Sequence, residues 1–99
     1  VTALLTPAAR AELRTIALDI ARGNPPRALS FVVELGEVVA RLAEMPQAFP
    51  LVPRYEARGI RRRSWRGYGL LYAAAESGGI VLHRILGPGQ GHDRALHLS

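Results

Sequence analysis

Cysteine is missing from the chain, so disulfides and thiolate metal sites are excluded. Lysine is missing too, and the formal net charge of +5 rests on arginine alone, 13 of them against 8 acidic residues. Arginine pairs bidentately with carboxylate or phosphate and suits partly buried ion pairs. The basic balance therefore fits an acidic protein surface or a nucleic acid. No apolar run approaches the roughly 18 residues that span a bilayer. The opening VTALLTPAAR lacks the charged start and long apolar stretch of a signal peptide. A soluble, cytoplasmic protein with no membrane partner is expected. With 48% hydrophobic residues the composition is not that of a disordered chain. Ninety-nine residues suit one domain, residues 1–99, with a modest core.

The order of elements is legible from caps and periodicity. Residues 1–5 are apolar and read as a short strand. Thr6-Pro7 is a helix start, with Thr6 as cap and Pro7 at a position whose N–H would have no partner. Ala9, Leu13, Ile16, Ala17 and Ile20 then form one helical face to about Arg22, and Gly23 is expected to stop the helix in a left-handed conformation. Asn24-Pro25 starts a second helix of about twenty residues, striped by Ala28, Phe31, Val32, Leu35, Val38, Val39 and Leu42 and ended by Pro46. Gly36 interrupts it at roughly 1 kcal/mol against alanine, as if to let the helices approach. Residues 47–58 read as a proline-stiffened loop. Strands follow at about 59–65, 68–75 and 80–86, the last two joined by the turn Glu76-Ser77-Gly78-Gly79. The sum is an α+β domain of order β-α-α-β-β-β, a helical hairpin packed on a small antiparallel sheet.

Most familiar chemistries fail on spacing. His83, His92 and His97 form no metal motif, so no metal is expected. Gly87-Pro88-Gly89-Gln90-Gly91 follows a strand but has neither the spacing nor the helix of a dinucleotide loop. Ser30, Ser64 and Ser77 sit in no nucleophile-elbow context. Glu12, Arg14, Glu34, Glu37 and Arg41 read as solvated helix faces. What remains is the cluster Arg58, Arg61, Arg62, Arg63, Trp65 and Arg66, running straight into an apolar hairpin. On a strand, Arg61, Arg63 and Trp65 share one face and Ile60, Arg62 and Ser64 the other. Such a face binds anions around an aromatic anchor, or merely packs Trp65 over arginine stems.

Taken in order, LTPAARAELRTIALDIA, the Asn-Pro helix start, AEMP, and GIRRR-(x)4-YGLLY-(x)7-IVLHRIL resemble the ParE branch of the RelE/ParE toxin superfamily, the toxin halves of bacterial type II toxin–antitoxin modules. The resemblance implies a toxin that inhibits DNA gyrase by binding. It also implies a cognate ParD-like antitoxin whose acidic, amphipathic C-terminal segment wraps it in a hetero-oligomer, and contact with operator DNA only through that antitoxin. The alternatives are a RelE-like ribosome-dependent mRNA endoribonuclease and an inactive family member. Aligned on the ribonucleases, Gly69 falls where they carry an arginine, Ile60 and Arg62 fall on their two lysines, and no tyrosine follows Tyr72. The resemblance thus implies a non-enzyme with no catalytic residue and no cofactor. Arg58, Arg61, Arg62, Arg63, Trp65, Arg66, Tyr72 and Arg84 are the expected antitoxin or target contacts. Leu13, Ile16 and Ile20 are a candidate antitoxin groove, and His92, Asp93 and Arg94 a candidate toxicity tail.

Overall fold

The computed structural model describes residues 2–88. Strand β1 (Ala3–Leu5) leads into helix α1 (Pro7–Gly23) and helix α2 (Pro25–Glu44). A turn of 3-10 helix at Glu56–Arg58 precedes strands β2 (Arg61–Trp65), β3 (Tyr68–Ala74) and β4 (Ile80–Leu86). The expected β-α-α-β-β-β order and α+β architecture are those of the structure. The sheet order is β1-β4-β3-β2. β2, β3 and β4 pair antiparallel, whereas β1 pairs with β4 in parallel, Ala3 opposite Ile80, so the sheet is mixed.

Local chemistry explains the helix ends. The Thr6 hydroxyl accepts from the Ala9 N–H at 3.1 Å and donates to the His83 carbonyl at 2.7 Å, capping α1 and tying it to β4. Asn24 serves both helices: its N–H closes α1 on the Ile20 carbonyl at 2.9 Å, and its side chain caps α2 at the Arg27 N–H at 3.2 Å. Gly23 is therefore the last helical residue and not the expected left-handed stop, because Asn24 does the stopping, at φ −157° and ψ 84°. Gly36 also departs from expectation. A Cβ built on it would meet nothing within 4 Å, so the missing side chain relieves no helix–helix crowding.

The sheet is covered on both faces. Phe31, Leu35, Val38, Val39 and Leu42 of α2 and Ala9 of α1 bury against Leu70, Tyr72, Ile80, Leu82 and Ile85. On the other face Val52, Ile60, Leu71 and Leu86 make a smaller cluster under Tyr55 and Ala73. Each fully buried aliphatic side chain here contributes about 1.5–3 kcal/mol. Leu82 and Ile85 share the helix-facing side although three positions apart, which strict alternation forbids. A bulge reconciles them: Leu71 pairs with Arg84 but Tyr72 with Leu82, leaving His83 as the extra residue.

Candidate functional site

The arginine strand divides as alternation requires, and most of its side chains are engaged. Arg61 donates through Nη1 to the Phe49 carbonyl at 2.6 Å, fastening the proline loop to β2. Arg63 donates to the Ser64 carbonyl at 2.6 Å and lies over the Phe49 ring at 5.0 Å. Trp65 belongs partly to the core, 5.3 Å from the Phe31 ring and 6.4 Å from Tyr68. The β2–β3 turn is the two residues Arg66 and Gly67, at φ 52° and 84°, the positive pair that a type I′ hairpin demands. That turn sends Arg66 over Trp65 at 5.5 Å and within 3.1 Å of Glu34, which also receives Arg27 at 3.0 Å. Glu34 is accordingly no solvated bystander but the centre of an ion-paired cluster around the Phe31, Trp65 and Tyr68 rings.

On the opposite face Arg62 extends across β3. A Cβ on Gly69 would lie 2.6 Å from its Nη2, so the missing side chain at Gly69 is the space the guanidinium occupies. Arg58 lies 5.9 Å over the Tyr55 ring, near enough to His83 to oppose its protonation. Burial first, then Arg58, holds His83 below the ordinary imidazole range.

Two expected contact residues are placed otherwise. Tyr72 is 0% exposed and sits in the core between sheet and helices, so it touches no partner. Its hydroxyl makes no hydrogen bond of good geometry. Desolvation drives it above the ordinary phenol range, against the pull of Arg61, the Phe49 backbone and Arg63. Arg84 is bound to Glu12, at 3.0 Å through Nε and 2.6 Å through Nη2, with both side chains mostly buried. The second Glu12 oxygen accepts from the Ile85 N–H at 2.8 Å, beyond the point where β1 leaves the edge of β4. The Glu12 hydrogen bond raises the Arg84 guanidinium further above its usual value, against desolvation. Glu12 thus corrects its reading as a solvated charge. Its sequence signal is position: it lies three after Ala9 and four before Ile16, on the flank of the apolar stripe.

Between α1 and the ends of β3 and β4 runs a groove of about 540 Å³. Ile16, Ile20, Tyr68, Ile85 and Pro88 give its apolar surface, and Glu12 and Asp19 lie along its α1 wall. Ile16 and Ile20 therefore serve both core and groove, while Leu13 packs against the core without lining the groove. Tyr68 and Ile85 line it unforeseen, because only the sheet order brings them beneath α1. His92, Asp93 and Arg94 lie outside the described residues. Among the described residues no group of three His, Cys, Asp or Glu side chains is placed to hold a metal. The arrangement offers an apolar groove, an arginine-bearing sheet and fixed ion pairs.

The small α+β fold has a solved counterpart. A chain described as "Chromosomal ParDE TA system from P. aeruginosa" superposes with a TM-score of 0.69 at 21% identity, over 88% of this chain and 95% of that one. The family model of the ParE toxin of the type II toxin–antitoxin system, parDE, matches residues 3–90. The chain belongs to the ParE toxin family. No curated protein is a significant match to it.

Proposed function

We propose that this ParE-family toxin acts without catalysis: it inhibits DNA gyrase in the cytoplasm by binding and is neutralised by a cognate ParD-like antitoxin. The observation that carries the reading is the match of residues 3–90 to the ParE toxin family. The site supports it. Where the resembling ribonucleases carry a strand arginine, this chain has Gly69. The late arginine Arg84 is committed to Glu12. A developing phosphorane needs cations free to follow the charge, and a proton acceptor beside them.

The antitoxin segment is amphipathic and acidic. Its apolar side chains enter the groove at Ile16, Ile20, Tyr68 and Ile85, and its carboxylates meet Arg62 and Arg66. Operator DNA is reached only through the antitoxin in the hetero-oligomer.

Gyrase supercoiling and ribosome-bound mRNA cleavage, run side by side with purified protein, test the proposal. Inhibited supercoiling that recovers on adding antitoxin is expected, with mRNA intact. Cleavage of A-site mRNA with supercoiling untouched overturns it in favour of a ribonuclease; no response in either assay makes the chain an inactive family member.

A further inference from the structure

Helix α2 carries Arg27, Glu34 and Arg41 at intervals of seven residues, about two turns, so they line up along one side of it. At the start of that line Glu34 holds Arg27 of the helix at 3.0 Å and Arg66 of the β2–β3 turn at 3.1 Å. A carboxylate there bridges a helix arginine and a sheet arginine. About two turns further on, Arg41 of the helix and Arg63 of β2 repeat the two cations without the carboxylate. Among the described residues neither is ion-paired. With them, Val38, Leu42, Met45, Ala48 and Phe49 line a pocket of about 110 Å³ that has no acidic residue. Its lining is tied to the strand: Arg61 fastens the Phe49 carbonyl at 2.6 Å, and the Phe49 ring carries the Arg63 guanidinium at 5.0 Å. Arg41 is exposed and Met45 is 58% exposed, so the pocket opens to solvent.

We propose that this pocket docks an acidic peptide segment, one aliphatic side chain of which fills it while a neighbouring carboxylate lies between Arg41 and Arg63. The segment supplies there what Glu34 supplies at the other end of the line. Charge selects an anion, since both ionised groups of the lining are guanidiniums. Arg63 gives one N–H to the Ser64 carbonyl, and the rest of its fork is left for a carboxylate. Shape selects peptide over nucleic acid. An apolar cavity of about 150 Å³ holds benzene; one of about 110 Å³ takes a valine- or leucine-sized group and not a nucleobase. The pocket shares no lining residue with the groove beside α1, so its test is independent of that groove and of gyrase inhibition.

The probe is the blocked dipeptide N-acetyl-leucyl-glutamate amide, titrated into the full chain while NMR follows the arginine Nε–H signals and the methyl of Met45, the one methionine. Saturable shifts of Arg41, Arg63 and Met45 are expected, with half-saturation in the millimolar range. The matching leucyl-glutamine peptide, which keeps the shape and loses the charge, is expected to bind about tenfold more weakly. Arg41→Glu, at an exposed helix position, is expected to abolish saturation with the thermal midpoint unchanged. Shifts that never saturate, equal shifts from the two peptides, or undiminished binding by Arg41→Glu overturn the proposal. So does a stronger response of the same signals to oligouridylate, which makes the pocket a nucleic-acid site. Shifts that appear on concentrating the protein alone overturn it too, by assigning the pocket to a second copy.

Discussion

Single side chains decide more here than their surroundings suggest, and Glu12 is the clearest case. One carboxylate satisfies both Arg84 and the Ile85 N–H at the open part of the β4 edge. Glu12→Ala strands a mostly buried cation and a strand N–H, and a loss of about 2–3 kcal/mol in urea unfolding is expected. Arg84→Met on that background should recover part of the loss, since it removes the unpaired charge. Two glycines make a contrasting pair. At Gly69 an added Cβ meets the far end of the Arg62 side chain, which can swing aside, so Gly69→Ala should cost less than about 1 kcal/mol. At Gly79 the same atom would lie 1.7 Å from the Thr2 carbonyl oxygen, on a backbone with φ 77°. Gly79→Ala should detach β1 and cost about 2–4 kcal/mol, read as a fall in thermal midpoint. His83 gives a pH signature. Its folded pKa is depressed by burial and Arg58, so the unfolded state binds its proton more readily. The associated stability is complete above the unfolded value of about 6.5 and is lost as pH falls through the folded value. Urea midpoints at pH 5 and 7.5 should differ more for the natural chain than for His83→Gln.

At the scale of elements, Asn24 is the hinge on which the helical hairpin depends, because one residue closes α1 and opens α2. Asn24→Ala keeps the backbone closure and loses the side-chain cap, at about 1 kcal/mol in thermal unfolding. The Thr6-Pro7 and Asn24-Pro25 pairs made both helices legible, since a cap before a proline is a local signal. The strands were legible by their β-branched and aromatic runs, and β4 begins and ends at Ile80 and Leu86 as read. The parallel pairing of β1 was not legible, because nothing within Ala3–Leu5 names a partner 77 positions away. The bulge at His83 was hidden for a related reason: it answers a need of the core, bringing Leu82 and Ile85 under the same helices. Tyr72 was misplaced for the converse reason. Its strand alternates between two covered faces, so neither face leaves it exposed. Of the site, the arginine strand could be read from its letters, but the commitment of Arg61 to Phe49 and of Arg84 to Glu12 depends on approach in space.

For the whole molecule the dominant quantity is the uncompensated arginine charge. An acidic antitoxin should associate quickly at low salt and more slowly as ions screen the encounter, since long-range attraction acts over about 10 Å at 0.1 M. Arg62→Ala with Arg66→Ala should lower the association rate several-fold at low salt and flatten its salt dependence, measured by stopped-flow or surface binding. An unchanged rate would make both side chains mere packing over Gly69 and Trp65. The sheet order carries a consequence of another kind. β4 lies between β1 and β3, so the final strand described is an interior one, and it joins the opening residues to the rest. Ala3–Leu5 leaves the ribosome early and stays without its partner until Ile80–Leu82 has been made. Contacts so distant in sequence are slow to form. Both walls of the groove beside α1 wait on that step, because Ile85 and the Glu12 clamp belong to it. A nascent chain interrupted before β4 therefore carries the helices and the arginine strand without the groove that β4 completes between α1 and the sheet.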